Sequence, residues 1–200
     1  MSEQPVFYYD FSSPYAYLAA HRVDALLPLR VRWQPILFGA LVVEIGKRPW
    51  SWEEGPERDA RMRDCERRAG ELGLPLRWPP GWPRATYSVL AVRAALAAER
   101  HGRLRDFSLA AFDAGLGRGR DLSDPEIVGE VAAAAGLEPA VVLDEAVAPE
   151  VKRRLREVTD AARARGVTGI PTIAFGERLF WGDDRLDDAA AALASSLQGL

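Results

Sequence analysis

The stretch "YYDFSSPYAYLA", residues 8–19, decides the fold, because a strand, a polar turn and the start of a helix follow one another within it. Residues 6–10 form a short apolar and aromatic run that is typical of a buried strand. Pro14 suits the first turn of a helix. Apolar residues follow it at helical spacing as far as Leu26 and Leu27, which predicts that the helix continues to that point. The two serines in the turn, Ser12 and Ser13, are therefore the first candidates for chemistry.

Length and composition favour one soluble domain, or one domain that carries a large insertion. The chain has 200 residues, of which 48% are hydrophobic, so it can bury a substantial core. A formal charge of −3 gives no general attraction to nucleic acid or anionic lipid. Neither a signal peptide nor an apolar membrane-spanning stretch is recognisable. We expect a cytoplasmic protein that binds neither nucleic acid nor membrane.

Cys65 is the only cysteine in the sequence. A single cysteine excludes an internal disulfide, a CxxC redox pair and a thiolate-rich metal site, and no metal is expected. Two interpretations of the thiol remain open: it packs on a helix, or the surrounding arginines lower its pKa. These arginines are Arg61, Arg63, Arg67 and Arg68.

The chain continues with a second strand and then with helices. Residues 30–35 alternate apolar and polar side chains, which predicts a strand and, with the start of the chain, a parallel strand–helix–strand unit. Residues 36–56 read as a helix or ordered loop followed by a loop rich in glycine and proline. A helix is predicted over residues 57–72, with Gly73 ending it.

The middle of the chain predicts an all-helical block. Residues 86–165 are rich in alanine with helical periodicity, in four or five segments. Breaks are expected near Gly102, near residues 115–121 and near residues 136–139. Ser123 is predicted to cap one of these helices, because a glutamate follows it three residues later in the pattern of a capping box.

The last segment returns to strands. The stretch "GVTGIPTIAFGERLFWGDDRLD", residues 166–187, contains two short apolar runs around Gly176, which is typical of a hairpin. We expect strands over residues 172–175 and 178–181, and a helix from about Asp184. Both ends of the chain therefore contribute to one α/β layer.

The two quoted stretches resemble the 2-hydroxychromene-2-carboxylate isomerases and the related kappa-class glutathione transferases, which have the DsbA-like form of the thioredoxin fold. The resemblance spans nearly the whole chain. It implies an α/β, thioredoxin-like domain made of residues 1–36 and 166–200, and a helical insertion domain, with its connecting loops, over residues 37–165.

The redox members of this fold place the first cysteine of CxxC at the start of the first helix, where this chain has Ser13, and the second where it has Ala16. A hydroxyl cannot attack a disulfide sulfur, so disulfide oxidoreductase activity is excluded. In the resembling families the equivalent serine stabilises the thiolate of bound glutathione, which makes Ser13 the expected catalytic and cofactor-binding residue. The alternative is that Ser13 only caps the helix.

The resemblance assigns further glutathione contacts to the last segment. It implies a cis Ile170–Pro171 bond and a contact between the backbone of Ile170 and the cysteinyl residue of glutathione; the alternative is an ordinary turn proline. Asp184 matches an aspartate that binds the γ-glutamyl end. Asp183 departs from the pattern, since an amide or hydroxyl is more usual there, and its carboxylate would repel the carboxylate of the ligand unless it points away. The alternative for both acids is a favourable interaction with a helix start.

The expected substrate contacts are Lys47, Arg48 and Trp82. Relatives often carry a lysine and an asparagine in this region, where this chain has Val43 and Lys47, so the order is altered. The tryptophans of the two rigid loops either form the wall of an aromatic pocket or pack over the insertion. Both histidines, at positions 21 and 101, are expected to be structural or on the surface.

The resemblance implies a glutathione-dependent cis–trans isomerase that acts on an aromatic oxo-acid of the 2-hydroxychromene-2-carboxylate type. Glutathione transfer to a small electrophile would use the same site. A scaffold that binds a peptide without redox chemistry is the non-enzymatic alternative. Relatives are commonly homodimers, so a homodimer is expected.

Overall fold

One mixed sheet of four strands lies at the centre of the computed structural model, which describes residues 4–46, 48–84 and 87–198. The strands are β1 (Val6–Tyr9), β2 (Arg32–Pro35), β3 (Thr172–Phe175) and β4 (Arg178–Trp181), in the spatial order β2-β1-β3-β4. All four predicted strands are present. All four residues of β1 are buried, as expected for a central strand that is covered on both faces.

The pairing of the strands joins the two ends of the chain. β1 pairs in parallel with β2, with Phe7 opposite Trp33, and antiparallel with β3, with Phe7 opposite Ile173. β3 and β4 form the predicted antiparallel hairpin around Gly176, which adopts a positive φ of 57°. The fold is therefore α/β and DsbA-like, with a helical insertion between β2 and β3.

The helices beside the sheet differ in detail from the prediction. The single helix that was expected after Ser13 is divided into α1 (Pro14–Ala20) and α2 (Val23–Leu26). The chain bends between them, where the N–H of Arg22 donates to the C=O of Ala19 at 3.0 Å. The spacing of apolar residues did not reveal this bend, because both short helices pack against the same core.

The insertion contains seven helices within the described residues. They are α3 (Phe38–Glu44), α4 (Pro56–Glu71), α5 (Val89–Arg100), α6 (Leu104–Phe112), α7 (Pro125–Ala134), α8 (Pro139–Val147) and α9 (Pro149–Ala164). α6 continues into a π-helical turn, and Pro149 separates α8 from α9 because the residue before a proline avoids the helical conformation. After β4, a 3-10 turn at Asp183–Arg185 leads into α10 (Leu186–Gln198). None of the described helices is both long and apolar enough to span a bilayer.

The predicted cap of α7 was wrong by one residue. Asp124, not Ser123, is the N-cap, and its Oδ1 accepts the N–H of Glu126 at 2.9 Å. The N–H of Ser123 donates instead to Oδ1 of Asp121 at 2.9 Å. Pro125 explains the difference, because a proline at the first helical position makes the extended residue before it the cap.

The sheet and the insertion share one hydrophobic core. Tyr9 of β1 stacks on Phe7 with ring centroids 5.1 Å apart and contacts Phe112 of α6 at 5.7 Å. Its hydroxyl lies 2.6 Å from Oγ of Ser108, which itself donates to the C=O of Leu104 at 2.7 Å. Because the proton of the serine is used in that bond, Tyr9 is the donor to Ser108. This bond joins the central strand to α6.

We expect the substitutions Tyr9→Phe and Ser108→Ala to be coupled. Each should lower the free energy of unfolding by about 1 kcal/mol, because each removes the same buried hydrogen bond. Denaturant unfolding of both single variants and of the double variant measures the coupling, expected at about 0.5–1.5 kcal/mol. Strictly additive effects would show that the bond does not join the two parts.

Candidate active site

A cavity of about 930 Å³ opens where the start of α1, the turn before β3, the start of α10 and the two tryptophan-rich loops meet. It brings together residues that are widely separated in the sequence and that the resemblance singled out. These are Ser13, Arg48, Trp82, Ile170, Asp183 and Asp184. Lys47 lies outside the described residues. Val43 is 70% exposed on α3 and is not part of the cavity wall.

Ser13 caps α1 and also lines the cavity. Its Oγ accepts the N–H of Ala16 at 3.2 Å, and its backbone is extended, as an N-cap requires. Capping uses the oxygen as an acceptor and leaves the hydroxyl proton available. The capping and functional interpretations of Ser13 are therefore compatible.

Few other donors are available at the start of α1. Pro14 has no N–H, and the N–H of Tyr17 donates to the C=O of Ser13 at 3.1 Å. Of the first-turn donors, only the N–H of Tyr15 has no hydrogen-bond partner among the described residues. A ligand atom at this point can thus accept hydrogen bonds from the Ser13 hydroxyl and the Tyr15 amide.

Asp10 fixes the turn that carries Ser13. Its Oδ1 accepts the N–H of Ser12 at 3.0 Å, and its Oδ2 accepts the N–H of Phe38 at 2.8 Å. Burial raises the pKa of this carboxyl, and hydrogen bonds from Ser88, Ser12 and Phe38 lower it in part. Sequence reasoning did not single out Asp10, although an acid that directly follows a buried strand was a possible signal.

Ile170 presents its backbone in the cavity wall. The Ile170–Pro171 bond is cis, as the resemblance implied. The C=O of Pro171 accepts the N–H of Gly182 at 2.9 Å, which ties this turn to the end of β4. Within the described part of the chain, no protein group forms a hydrogen bond with the N–H or C=O of Ile170. These groups can pair with an extended peptide.

Gly169 has no side chain, which leaves room for the indole of Trp181 to pack on the backbone next to Ile170. A Cβ atom at position 169 would lie 2.2 Å from Nε1 of Trp181 and 2.3 Å from its Cε2. The indole therefore packs directly on the backbone beside Ile170. Any larger residue at position 169 must displace it.

Asp183 is buried and paired with arginines. Its side chain is 1% exposed, Nη2 of Arg68 donates to its Oδ2 at 2.5 Å, and Nη1 of Arg22 lies 4.0 Å from the same oxygen. Burial raises the pKa of the carboxyl, while Arg68 and Arg22 lower it in part. The charge that was expected to repel a ligand is thus compensated within the protein. Arg68 was missed because 115 residues separate it from Asp183.

Asp184 is exposed at the same turn. Its carboxylate bends back over Gly182, where a Cβ atom would lie 2.2 Å from Oδ1 of Asp184. Gly182 also has a positive φ of 119°, so glycine is required there for two reasons. This places an accessible carboxylate beside the compensated one.

The tryptophans both pack and line the cavity. Trp82 lies between Trp50 and Trp78, with ring centroids 5.8 Å and 4.5 Å away, and its Nε1 donates to the C=O of Ser12 at 3.3 Å. Trp82 is buried, whereas Trp52 is exposed, and Trp50, Trp52 and Trp82 all contribute to the wall. The two interpretations of these loops therefore both apply.

Cys65 supplies no reactive thiol. It is buried on α4, and burial raises its pKa to about 12, although a hydrogen bond from Tyr15 lowers it in part. Arg68 lowers this pKa in part, but burial outweighs it, so the interpretation in which the arginines give a lowered pKa was wrong and the packing interpretation is confirmed. Neither histidine lines the cavity: His21 packs edge-on against Tyr17, and His101 lies 3.1 Å from Glu145.

We expect Cys65 of the folded protein to be unreactive toward a thiol reagent at pH 8, because it is buried and its pKa is raised to about 12. Ellman's reagent should release no colour from the native protein and one equivalent in guanidinium chloride. Rapid stoichiometric labelling of the native protein would contradict this assignment.

Replacement of Asp10 by Asn should change how stability depends on pH. Because the pKa of Asp10 is higher in the folded protein than its ordinary 3.8, ionisation favours the unfolded chain. The stability that Asp10 contributes is full below pH 3.8 and falls as the pH rises through the pKa of the folded state. The unfolding free energy of the wild type minus that of the variant should therefore decrease across this range, as urea unfolding at several pH values would show. An increase of this quantity with pH would refute the sign.

Comparisons with known proteins agree with the observed fold. Residues 6–194 match the model of the DSBA-like thioredoxin domain. A 2-hydroxychromene-2-carboxylate isomerase from Sphingobium xenophagum is 29% identical over 185 residues, covering 90% of this chain and 93% of the relative. Glutathione S-transferase kappa 1 from Homo sapiens is 23% identical over 208 residues, covering 96% of this chain and 91% of the relative.

The fold is shared with a solved structure of a 2-hydroxychromene-2-carboxylate isomerase. That structure superposes with a TM-score of 0.84 at 22% identity, and the match covers 98% of this chain and 97% of the other. The resemblance of the chain to these isomerases and to the kappa-class transferases, in the DsbA-like fold, is confirmed. The chain belongs to the DSBA-like thioredoxin domain family.

Proposed function

We propose that this protein is a glutathione-dependent isomerase that acts on an aromatic oxo-acid of the 2-hydroxychromene-2-carboxylate type. One observation carries the proposal: the Ser13 hydroxyl, with its proton available, lines the same cavity as the unpaired backbone of Ile170. The names of the similar isomerases and of the kappa-class relative support this assignment.

The cavity suits a short anionic peptide. An extended peptide can pair with the N–H and C=O of Ile170, as a strand pairs with a sheet edge. Glutathione carries two carboxylates and one ammonium group, and four guanidinium groups line the cavity together with the exposed carboxylate of Asp184. The guanidinium groups belong to Arg48, Arg61, Arg68 and Arg84.

The start of α1 suits a thiolate. The Ser13 hydroxyl and the Tyr15 amide are both donors, and hydrogen bonds to a charged group favour the charged form. They would therefore lower the pKa of a thiol bound there. Because Cys65 is buried, the reacting sulfur has to come from the ligand.

The protein positions the substrate and stabilises the thiolate, and glutathione contributes the reactive sulfur. When bound, glutathione supplies a thiolate that adds reversibly to a conjugated carbon, so that the former double bond can rotate before the thiol leaves. Ser13 stabilises the negative sulfur before addition and after departure. Trp50 and Trp82, whose rings are tilted by 55° to each other, contribute apolar surface on which an aromatic ring can pack. Arg48, together with Lys47 by resemblance, would bind the carboxylate of the substrate.

Glutathione transfer to an electrophile is the second candidate function, and the similarity to a kappa-class transferase favours it. It uses the same thiolate but does not return the thiol. An assay that follows conjugation of an aromatic halide, run beside an assay of cis–trans isomerisation with catalytic glutathione, separates the two outcomes.

Replacement of Ser13 by Ala should raise the pKa of bound glutathione and lower turnover by about 10²–10³-fold, since a donor to the thiolate is lost. Thiolate absorbance near 240 nm, titrated against pH in the presence of the protein, measures the first effect. Ser13→Thr keeps the hydroxyl and should retain most activity.

Ser13→Asp is the control for capping. It keeps a good N-cap but offers no donor and adds a negative charge, so it should fold normally and lose thiolate stabilisation. A Ser13→Ala variant that retains both the lowered thiol pKa and wild-type turnover would refute the proposed role. If the wild type bound a peptide without any turnover and Ser13→Ala kept all of that binding, the chain would act as a scaffold.

A further inference from the structure

A fixed cation lies in the cavity beside the start of α10. The guanidinium group of Arg68, on α4, lines the cavity and donates to the buried carboxylate of Asp183. The side chain of Arg68 is 21% exposed, and its guanidinium carbon lies 5.9 Å from the centre of the Tyr15 ring. The carboxylate and the ring together fix where this long side chain ends.

The charge of Asp183 is shared with a second arginine. Arg22, which does not line the cavity, lies 4.0 Å from Oδ2 of Asp183 and donates to its C=O at 3.5 Å. Two guanidinium groups thus face one buried carboxylate, and Arg22 also lies 4.0 Å from the exposed carboxylate of Asp187. Of these two arginines, only Arg68 lines the cavity.

Arg68 has N–H donors that Asp183 does not use. A guanidinium group has five N–H donors. Its Nη2 is used by Asp183, and the other carboxylate near it among the described residues, that of Asp64, lies 4.0 Å from Nη1. The remaining donors can take a planar acceptor such as a carboxylate.

The carboxylate of Asp184 places an accessible negative charge near the guanidinium group of Arg68. Asp184 follows Asp183 directly, is exposed, and lines the same cavity. A cation and an anion at adjacent points of a wall match the head group of an amino acid, which carries a carboxylate and an ammonium on one carbon. The γ-glutamyl residue of glutathione has such a head group, whereas its glycyl end has a carboxylate alone.

We propose that Arg68, held by Asp183, binds the α-carboxylate of the γ-glutamyl residue of glutathione, beside the ammonium site of Asp184. This inference rests on the proposed use of glutathione. It explains the aspartate at position 183, where an amide or hydroxyl is more usual: its carboxylate is the counterion that positions the arginine and is not itself a ligand.

Isothermal titration with glutathione tests the proposal. Arg68→Met should weaken binding by about 10–100-fold, because a charge-assisted hydrogen bond is lost. That variant leaves the buried Asp183 without its main partner, so the double variant Arg68→Met/Asp183→Asn is measured beside it and should bind as weakly while folding normally. Arg67→Met, which removes an exposed arginine of the same helix, is the matched control and should stay within about 2-fold.

Two glutathione analogues identify the carboxylate concerned. One replaces the γ-glutamyl residue by 4-aminobutanoyl, which removes the α-carboxylate, and the other is the glycine amide of glutathione. The loss caused by Arg68→Met should disappear with the first analogue and persist with the second. Loss that disappears only with the glycine amide would overturn the proposal, because Arg68 would then bind the other end.

The outcomes separate this inference from the proposed function. If the wild type binds glutathione and the double variant binds it equally well, the role of Arg68 is refuted and the proposed function stands. If the wild type shows no heat of binding and no lowered thiol pKa with glutathione, both are refuted. Weaker binding of the variants together with an unchanged thiol pKa in the bound state supports the role of Arg68.

Discussion

The candidate site depends on one buried carboxylate at the end of the central strand. Asp10 accepts the N–H of Ser12 with one oxygen and the N–H of Phe38 with the other, so a single side chain fixes both the turn before α1 and the start of the insertion. Burial makes the charged carboxyl costly, and the hydrogen bonds offset part of that cost. Together with the bond from Nε1 of Trp82 to the C=O of Ser12, they hold the turn that presents Ser13 against the part of the cavity wall that comes from the insertion.

A second buried acid plays a related part on the opposite side of the cavity. Asp183 is neutralised by Arg68 and Arg22, which come from the insertion and from the sheet domain respectively. Both acids therefore connect the two parts of the chain at the point where the cavity forms. The cavity is polar where these connections lie and aromatic where the tryptophan loops cover it. Under the proposed function, this division would separate the thiol from the aromatic ring of the substrate.

Much of the fold followed from local patterns, and less of the site did. The strands, the hairpin at Gly176 and the helical middle were predictable because apolar spacing and glycine act within a few residues. The cap at Asp124 was misjudged because proline overrides the weaker preference of serine, and the break before Pro149 was not predicted. The position of Ser13 and Ile170 at the cavity was predictable from resemblance. That of Arg68 was not, because its pairing with Asp183 exists only after the chain has folded.

The burial of Cys65 has a consequence for how the protein would respond to its surroundings. A chain whose single thiol is buried and has a raised pKa cannot form an internal disulfide and offers little thiolate to an oxidant. Under the proposed function, oxidative stress would not switch the protein directly. Its turnover would instead depend on the concentration of reduced glutathione, although the protein itself would exchange no thiol or disulfide with it.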